Sequence, residues 1–262
     1  MNLILTEPPL ALFDLMERDK LINYLNELMR PETFEDYMPN GLQVEGSREV
    51  KRILFSPSVS RNVIQAAINN KCDTVFVHHG FFFKGLPVVL TGVYREKIKM
   101  LIENNVNLIA YHLPLDFLPL YGNNQPVAQQ LGLQNILPFE NIGYKGEFPE
   151  ALPVAQYHEM LFRIYKTKGV QIFSDADKKI KSVAVVSGGA QDYFQKAINA
   201  QCDAFITGES SEWVYHLALE SGVHFSAMGH YKSETIGVDL LSRHLQMKFA
   251  LETILYLEEN PF

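Results

Sequence analysis

Short, nearly continuous apolar runs alternate with Ala-rich helical stretches in two separate parts of the chain. In the first part the apolar runs span residues 53–59, 74–80 and 106–116. In the second part they span residues 182–189, 204–210 and 223–234. Runs that lack a polar alternation are typical of parallel strands covered on both faces. The pattern therefore predicts one βαβαβ unit in each part and an α/β fold overall.

An eight-residue sequence occurs twice, at matching positions in these two parts. Residues 66–73 read AAINNKCD and residues 196–203 read KAINAQCD, with five identical positions. Each copy lies in the predicted helical stretch between two predicted strands, which indicates an internal duplication. Because Cys72 and Cys202 are equivalent in the two copies, we expect them to be small core residues rather than thiol ligands.

The repeat divides the chain into two lobes. We predict a first α/β lobe over residues 1–137, a connector over 138–181 and a second α/β lobe over 182–262. The two lobes are free to pack as one intertwined unit. The connector prediction rests on the Pro- and Gly-rich sequence near its start. In the second lobe, TIGVDLLSRHLQMKFA is predicted to be helical and ETILYLEE to form a last, partly exposed strand.

Side chains that bind metals collect at the ends of the predicted strands. They are His78 and His79, His112 and Asp116, Glu209, and His230 and Glu234. Ligands of open α/β sheets bind outside the carboxyl ends of the strands. Imidazole and carboxylate groups are ligands of zinc, iron(II), manganese and cobalt. The sequence therefore predicts a metal site in the cleft between the two lobes.

The number of candidate ligands points to two ions rather than one. HLPLD and HYKSE share one spacing, a His followed four residues later by a carboxylate. Two divalent ions can activate a shared water for hydrolysis. The predicted ligands are His78, His79, Asp116, His230 and Glu234. His112 is either a ligand or a residue that orients one. Glu209 is a general base, an orienting residue or a salt-bridge partner, and either His112 or Glu209 would carry the proton.

The remaining histidines and one aromatic segment have simpler explanations. We expect His158, His224 and His244 to be structural, and His216 to pair with Glu212 on a helix. The segment FFFKG (81–85) is expected to form an apolar wall or an interface.

Composition excludes several classes of protein. The 262 residues are 47% hydrophobic and 20% charged, which is typical of a packed globular chain. The net charge of −7 argues against tight wrapping of duplex DNA, so nucleic acid is not the favoured partner. Two cysteines cannot form a disulfide framework. With no long apolar stretch and no cationic secretory start, we expect a cytoplasmic protein that does not bind membranes.

Common catalytic motifs are absent. The sequence has no phosphate-binding Gly-rich loop followed by Lys-Ser/Thr, no GXSXG and no CxxC. These absences argue against P-loop, serine-hydrolase and zinc-ribbon functions.

Five motifs together resemble the Nif-three-like family, whose bacterial members are often named GTP cyclohydrolase I type 2 homologues. The motifs are YMPNGLQVEG (37–46), VHHGFFFKG (77–85), YHLPLDFLPLYGNN (111–124), AFITGESSEW (204–213) and AMGHYKSETIG (227–237). The likeness is to the short bacterial type without an inserted middle domain, because only residues 138–181 separate the two copies. PNGLQVEG (39–46) precedes the first predicted strand and is expected to line the cleft or hold the lobes together.

The resemblance implies a dinuclear metal site held by the same five residues. It also implies a toroidal homohexamer with metal sites that face an internal cavity. The predicted function is metal-dependent hydrolysis of a phosphoester or nucleotide, of which GTP ring opening is one example. The alternative is a ring-shaped, metal-stabilised scaffold or binding protein, linked to DNA metabolism or metal handling.

Overall fold

The described residues form two large mixed β-sheets, each with helices on both faces, and a small antiparallel pair of strands, Met16–Glu17 and Glu49–Val50. The computed structural model describes residues 16–86, 89–173 and 175–262, so the first fifteen residues, used above to judge targeting, lie outside it. The strands are β1 (Met16–Glu17), β2 (Gly41–Val44), β3 (Glu49–Val50), β4 (Arg52–Ser58), β5 (Thr74–His79), β6 (Asn107–Ala110), β7 (Gln134–Phe139), β8 (Gly143–Pro153), β9 (Val170–Ile172), β10 (Lys179–Val185), β11 (Ala204–Thr207), β12 (His224–Ala227) and β13 (Glu252–Leu255). The helices are α1 (Arg18–Met29), α2 (Arg61–Asn69), α3 (Gly92–Glu103), α4 (Leu113–Phe117), α5 (Asn124–Gln130), α6 (Val154–Tyr165), α7 (Phe194–Asn199), α8 (Glu212–Ser221), α9 (His230–Ser233) and α10 (Thr235–Phe249).

The first sheet has the strand order β13-β4-β5-β6-β2. Its central strands β4, β5 and β6 are parallel, with Ile53 opposite Thr74 and Thr74 opposite Asn107. Alternate strand side chains enter two different cores, one under α2 and α3 and the other under α1 and α10. Because both faces are buried, the strands are apolar on both sides, as the sequence pattern predicted.

The second sheet has the strand order β7-β8-β10-β11-β12-β9. Strands β10, β11 and β12 are parallel, with Val183 opposite Ala204 and Ala204 opposite His224. Helices α5 and α6 cover one face, and α7 and α8 cover the other. The mixed α/β fold is therefore confirmed. The internal duplication stays a prediction, which the matching registers of the two parallel cores support.

The repeated Cys-Asp pair has the same structural role in both sheets. In the first sheet, Oδ2 of Asp73 accepts hydrogen bonds from the backbone N–H groups of Lys51 and Arg52 at 2.7 and 3.0 Å. In the second sheet, Oδ2 of Asp203 accepts two backbone N–H groups of β10, both at 3.0 Å. Each aspartate directly precedes a strand and thus ties the start of that strand to the neighbouring strand β4 or β10. Cys72 and Cys202 are buried core residues, as predicted.

The segment predicted to be a connector, residues 138–181, is structured and belongs to the second sheet. Strand β8, helix α6 and strand β9 lie within it, and β8 pairs antiparallel with β10. The residues that suggested a loop lie at special places, since Gly143 begins β8 and Pro153 ends it. Pro149 lies where the β8–β10 register shifts, and a proline is tolerated at such an irregularity.

Two further segments can now be placed in the sheets. Within 39–46, residues Gly41–Val44 form β2, an edge strand antiparallel to β6. The predicted last helix and strand exist as α10 and β13, but they pack on the first sheet, where β13 runs parallel to β4. The boundaries of the two lobes stay a prediction. Among the described residues, the helices are too short or too polar to cross a lipid bilayer.

Candidate metal centre

The predicted site residues lie at the carboxyl ends of the parallel strands. His78 and His79 end β5, and His112 stands directly before α4, which follows β6. In the second sheet, His230 begins α9, the short helix after β12, and Glu234 directly follows it. The strands of the two sheets thus end against one another, and the side chains meet between the sheets.

Glu234 lies at the centre of this cluster. Nε2 of His78 is 3.3 Å from Glu234 Oε1, and the Nε2 atoms of His79 and His230 are each 3.3 Å from Glu234 Oε2. Asp116 completes the cluster, with Oδ2 3.7 Å from Nε2 of His78. The structure therefore brings together His78, His79, Asp116, His230 and Glu234, which are far apart along the chain.

The two oxygens of Glu234 face different groups of side chains. One group of potential ligand atoms comprises His78, Asp116 and Glu234, and another comprises His79, His230 and Glu234. A third group joins His112 to His78 and His79. In each group the ligand atoms lie within 4.8 Å of one another. Glu234 is shared by the first two groups.

Each imidazole is held from behind through its other ring nitrogen. Nδ1 of His78 is 3.0 Å from the carbonyl oxygen of Tyr111, and Nδ1 of His79 is 3.0 Å from Oγ of Ser58. These contacts direct Nε2 toward the centre. Partners of this kind orient metal-binding histidines in many proteins.

The other two histidines are held by carboxylates. Nδ1 of His112 is 2.6 Å from Oδ1 of Asp36, and Nδ1 of His230 is 2.5 Å from Oε1 of Glu209. Glu209 therefore touches the site through His230. A carboxylate behind an imidazole fixes its orientation and raises its basicity.

Burial and charge act against each other in the centre. Burial lowers the pKa of His78, but the carboxylates of Asp116 and Glu234 raise it to about 9. Burial, with the neighbouring imidazoles, lowers the pKa of His79 to about 3 although Glu234 opposes this. Burial alone would raise the pKa of Glu234, but the imidazoles of His79, His78 and His230 hold it well below its usual range. The site thus concentrates opposite charges out of water.

The residues fit a cation. Nε2 of His78 and Oε2 of Glu234 are buried without a hydrogen-bond partner among the described residues. An unpaired buried polar atom is costly, and a divalent ion in each of the two groups of ligands would satisfy these atoms. The loop after β10 closes against Glu234, since a Cβ on Gly188 would lie 2.3 Å from its Oε1. The cluster could therefore hold metal ions.

The contacts of the other histidines and of the aromatic segment 81–85 bear on the roles predicted for them. Phe83 forms an apolar wall, with its ring centroid 5.5 Å from that of His112, whereas Phe81 is part of the core. His216 pairs with Glu212 at 3.7 Å. Three histidines lie in ring clusters outside the centre: His158 and His224 each beside Phe173, and His244 beside Tyr24 and Tyr121.

Comparison with known proteins identifies the family. The family model described as Duf34/NIF3 (NGG1p interacting factor 3) matches residues 16–261. The chain belongs to the NIF3 family. The resemblance seen in the sequence motifs is therefore confirmed.

Relatives within the NIF3 family match over their whole length. The GTP cyclohydrolase 1 type 2 homolog of Chlamydia trachomatis serovar D is 38% identical over 253 residues, which cover 94% of this chain and 100% of the relative. A solved structure of protein ybgI, described as of unknown function, has a TM-score of 0.90 at 34% identity, covering 94% of this chain and 100% of that chain. TTHA1606 from Thermus thermophilus has a TM-score of 0.87 at 32% identity over 94% and 100% of the chains.

Two supporting residues of this NIF3 centre escaped the sequence reasoning. Asp36, behind His112, also accepts the backbone N–H of Leu113 at 3.0 Å. Asn123 donates to Asp116 Oδ1 at 2.8 Å and accepts the backbone N–H of Gly237, so it links the two halves of the site. The motif 111–124 includes Asn123, and that was the available signal. Asp36 stands one residue before the motif 37–46 and carried no signal of its own.

Proposed function

We propose that this protein is a metal-dependent hydrolase with a dinuclear centre. The observation that carries the proposal is the position of Glu234, whose two carboxylate oxygens face two different groups of potential ligands. His78 and Asp116 would hold one ion, and His79 and His230 the other. Glu234 would contribute to both. When bound, two such ions lower the pKa of a water and polarise a phosphoryl or carbonyl oxygen.

His112 is the proposed proton carrier. Its ring lies 4.9 Å from that of His78 and 5.5 Å from that of His79, centroid to centroid. Asp36 binds Nδ1, so Nε2 is the ring nitrogen available to a substrate or a leaving group. Glu209 is proposed to orient His230 through their 2.5 Å contact. Phe83 keeps one side of His112 apolar.

The proposed substrate is a phosphoester or a nucleotide. The oxygens of such substrates are hard ligands, which suits a centre built from imidazoles and carboxylates. A relative from Chlamydia trachomatis serovar D bears the name GTP cyclohydrolase 1 type 2 homolog, so GTP ring opening belongs among the reactions to be tested.

The decisive experiment measures metal content and turnover together. Freshly purified protein is subjected to elemental analysis, stripped with a chelator, and reloaded with zinc, iron(II), manganese or cobalt. Each form is then assayed against a panel of phosphoesters and nucleotides. We expect turnover only in a reloaded form, and loss of both metal and turnover in His78→Ala.

His216→Ala is the matched control, because His216 lies on the exposed face of α8, where it contacts Glu212 and Tyr215 and none of the site residues. It should keep both properties. Equal turnover in stripped and reloaded protein would refute the proposal. Reloaded protein that is inactive, but whose assembly depends on the metal, would favour the scaffold function instead.

We also propose that the chain assembles into a homo-oligomer, with a hexameric ring as the expected form. Support comes from large apolar side chains around the loop before α3. Leu86, Val89, Leu90 and Val93 are 48–65% exposed. Exposed apolar clusters mark interaction surfaces. Light scattering coupled to gel filtration tests this directly, and Leu90→Asp with Val93→Asp should lower the measured mass.

A further inference from the structure

We infer that the substrate presents to this site a planar group without negative charge, and carries its anionic group on the side that faces the histidines. The inference rests on the proposed function and names the class of its substrate. It comes from a cavity of about 500 Å³ between the two sheets, which we call the aromatic cavity. His112, His230 and Glu234 form its inner end. Its volume is that of a typical small-molecule site.

Aromatic side chains from both halves of the chain form the outer part of the cavity. Phe34 and Tyr37 come from the segment before β2, and Tyr193 ends a 3₁₀ helix before α7. The ring centroid of Tyr37 lies 6.4 Å from that of His112. Tyr37 and Tyr193 both line the cavity, where a planar group can pack against them.

The charges around the aromatic cavity are all negative apart from histidine. Beyond the centre itself, Glu35 and Asp192 line it, and the described residues that line it include no lysine or arginine. Lys196 is nearby in sequence on α7, but its ammonium lies 3.8 Å from Glu140 Oε2. A second negative charge on the outer part of a ligand would therefore meet two carboxylates and no compensating cation.

Cationic side chains line a second cavity, of about 630 Å³, which also borders His230. Lys166, Lys232 and Glu209 are among the residues that line it. His230 thus borders both an acidic, aromatic cavity and a cavity with lysines. This polarity orients the substrate: its anionic group lies at the histidines or beyond them, and its uncharged or cationic planar group enters the aromatic cavity.

The test measures binding with ligands that cannot be hydrolysed. Phenylphosphonate, 4-carboxyphenylphosphonate and 4-(aminomethyl)phenylphosphonate are titrated calorimetrically into metal-reloaded protein. 4-Carboxyphenylphosphonate should bind at least about 10-fold more weakly than phenylphosphonate, and 4-(aminomethyl)phenylphosphonate should bind at least as tightly as phenylphosphonate. In the double variant Glu35→Gln, Asp192→Asn, the difference should fall to within about threefold. Tyr193→Ala should weaken all three ligands to a similar extent.

The matched control is Glu27→Gln with Glu220→Gln, which removes the same charge from exposed helix positions outside the cavity. It should leave the order of the three affinities unchanged. Equal affinities for the three ligands, a reversed order of affinities, an order that survives in the Glu35/Asp192 variant, or no binding at all would overturn the inference. If the order holds but reloaded protein hydrolyses no ester, the hydrolase proposal fails and the assignment of the cavity stands.

Discussion

Each of the two large sheets has three parallel strands at its centre, but the two sheets contribute different side chains to the site. The first supplies three imidazoles and Asp116, and the second supplies His230 and Glu234 with Glu209 behind. Where the first sheet has His78, the second has Gly208, at which a Cβ would lie 2.7 Å from the carbonyl oxygen of Gly188. The second sheet therefore has no room for a side chain at that place. The two parallel cores are similar, and local packing decides which of them carries a ligand at this position.

The largest effect is expected at the residue that joins both groups of ligands. Glu234→Gln should lower the metal content from about two ions to fewer than one per chain, and lower turnover by more than about 100-fold. Asp116→Asn, which belongs to one group only, should keep one ion. Elemental analysis of both variants checks this, with the exposed Glu220→Gln as control. Equal metal loss in the two variants would contradict the central place of Glu234.

The carboxylates behind the imidazoles provide the next comparison. Glu209→Gln should weaken metal binding by about 10- to 100-fold, since it removes the partner that orients the proposed ligand His230. The loss should lie at the low end of this range, because the side chain of Glu209 is 45% exposed. Asp36→Asn removes the partner of His112, the proposed proton carrier, so it should lower turnover and leave the metal affinity unchanged. Competition with a chelator of known affinity and a turnover assay of each reloaded variant measure both effects. A larger loss of metal affinity in Asp36→Asn than in Glu209→Gln would contradict the roles proposed for the two histidines.

Asp73 and Asp203, which occupy the same position in the repeated sequence, test whether the two sheets depend equally on this residue. Asp73→Ala and Asp203→Ala should each lower the free energy of unfolding by about 1 to 2 kcal/mol, because two backbone N–H groups lose their acceptor. Urea unfolding at neutral pH measures this. If only one of the two variants were destabilised, the two aspartates would not have equivalent roles.

Asp203 adds a pH dependence. Burial opposes its ionisation, but hydrogen bonds from Ser182 and Lys181 lower its pKa below the ordinary 3.8. A carboxyl group whose pKa is lowered in the folded protein stabilises the fold at pH values above its ordinary pKa. This contribution is lost as the pH falls through the lowered pKa. The difference between wild type and Asp203→Ala should therefore be full at pH 7 and shrink below pH 3.8.

The smallest difference is expected between the two cysteines. Burial raises the pKa of both Cys72 and Cys202 to about 11 from the ordinary 9.0. At pH 8 the thiolate fraction should fall about 100-fold, and alkylation by iodoacetamide should slow by at least that factor in both. Mass spectrometry of each cysteine peptide, with urea-unfolded protein for reference, gives the rates. Labelling of one thiol at its unfolded rate would distinguish the copies.

The parallel strands and the five clustered side chains could be predicted because their signals are local. An apolar run shows a buried strand, and a polar residue at its end shows where a ligand binds. The edges could not be predicted in this way. Strand β8 contains Pro149 and has exposed positions, so its sequence is that of a loop, and only its pairing with β7 and β10 makes it a strand. The place of β13 depends on β4, about two hundred residues away, and no local pattern records that contact.

The return of β13 to the first sheet bears on how the chain folds as it is synthesised. Its partner β4 leaves the ribosome early, whereas residues 252–255 emerge after every strand of the second sheet. The first sheet is therefore completed last, although it begins first. The two sheets cannot mature as successive independent units, and such distant pairing slows folding. A nascent chain halted before β13 would expose the open side of β4 to other chains.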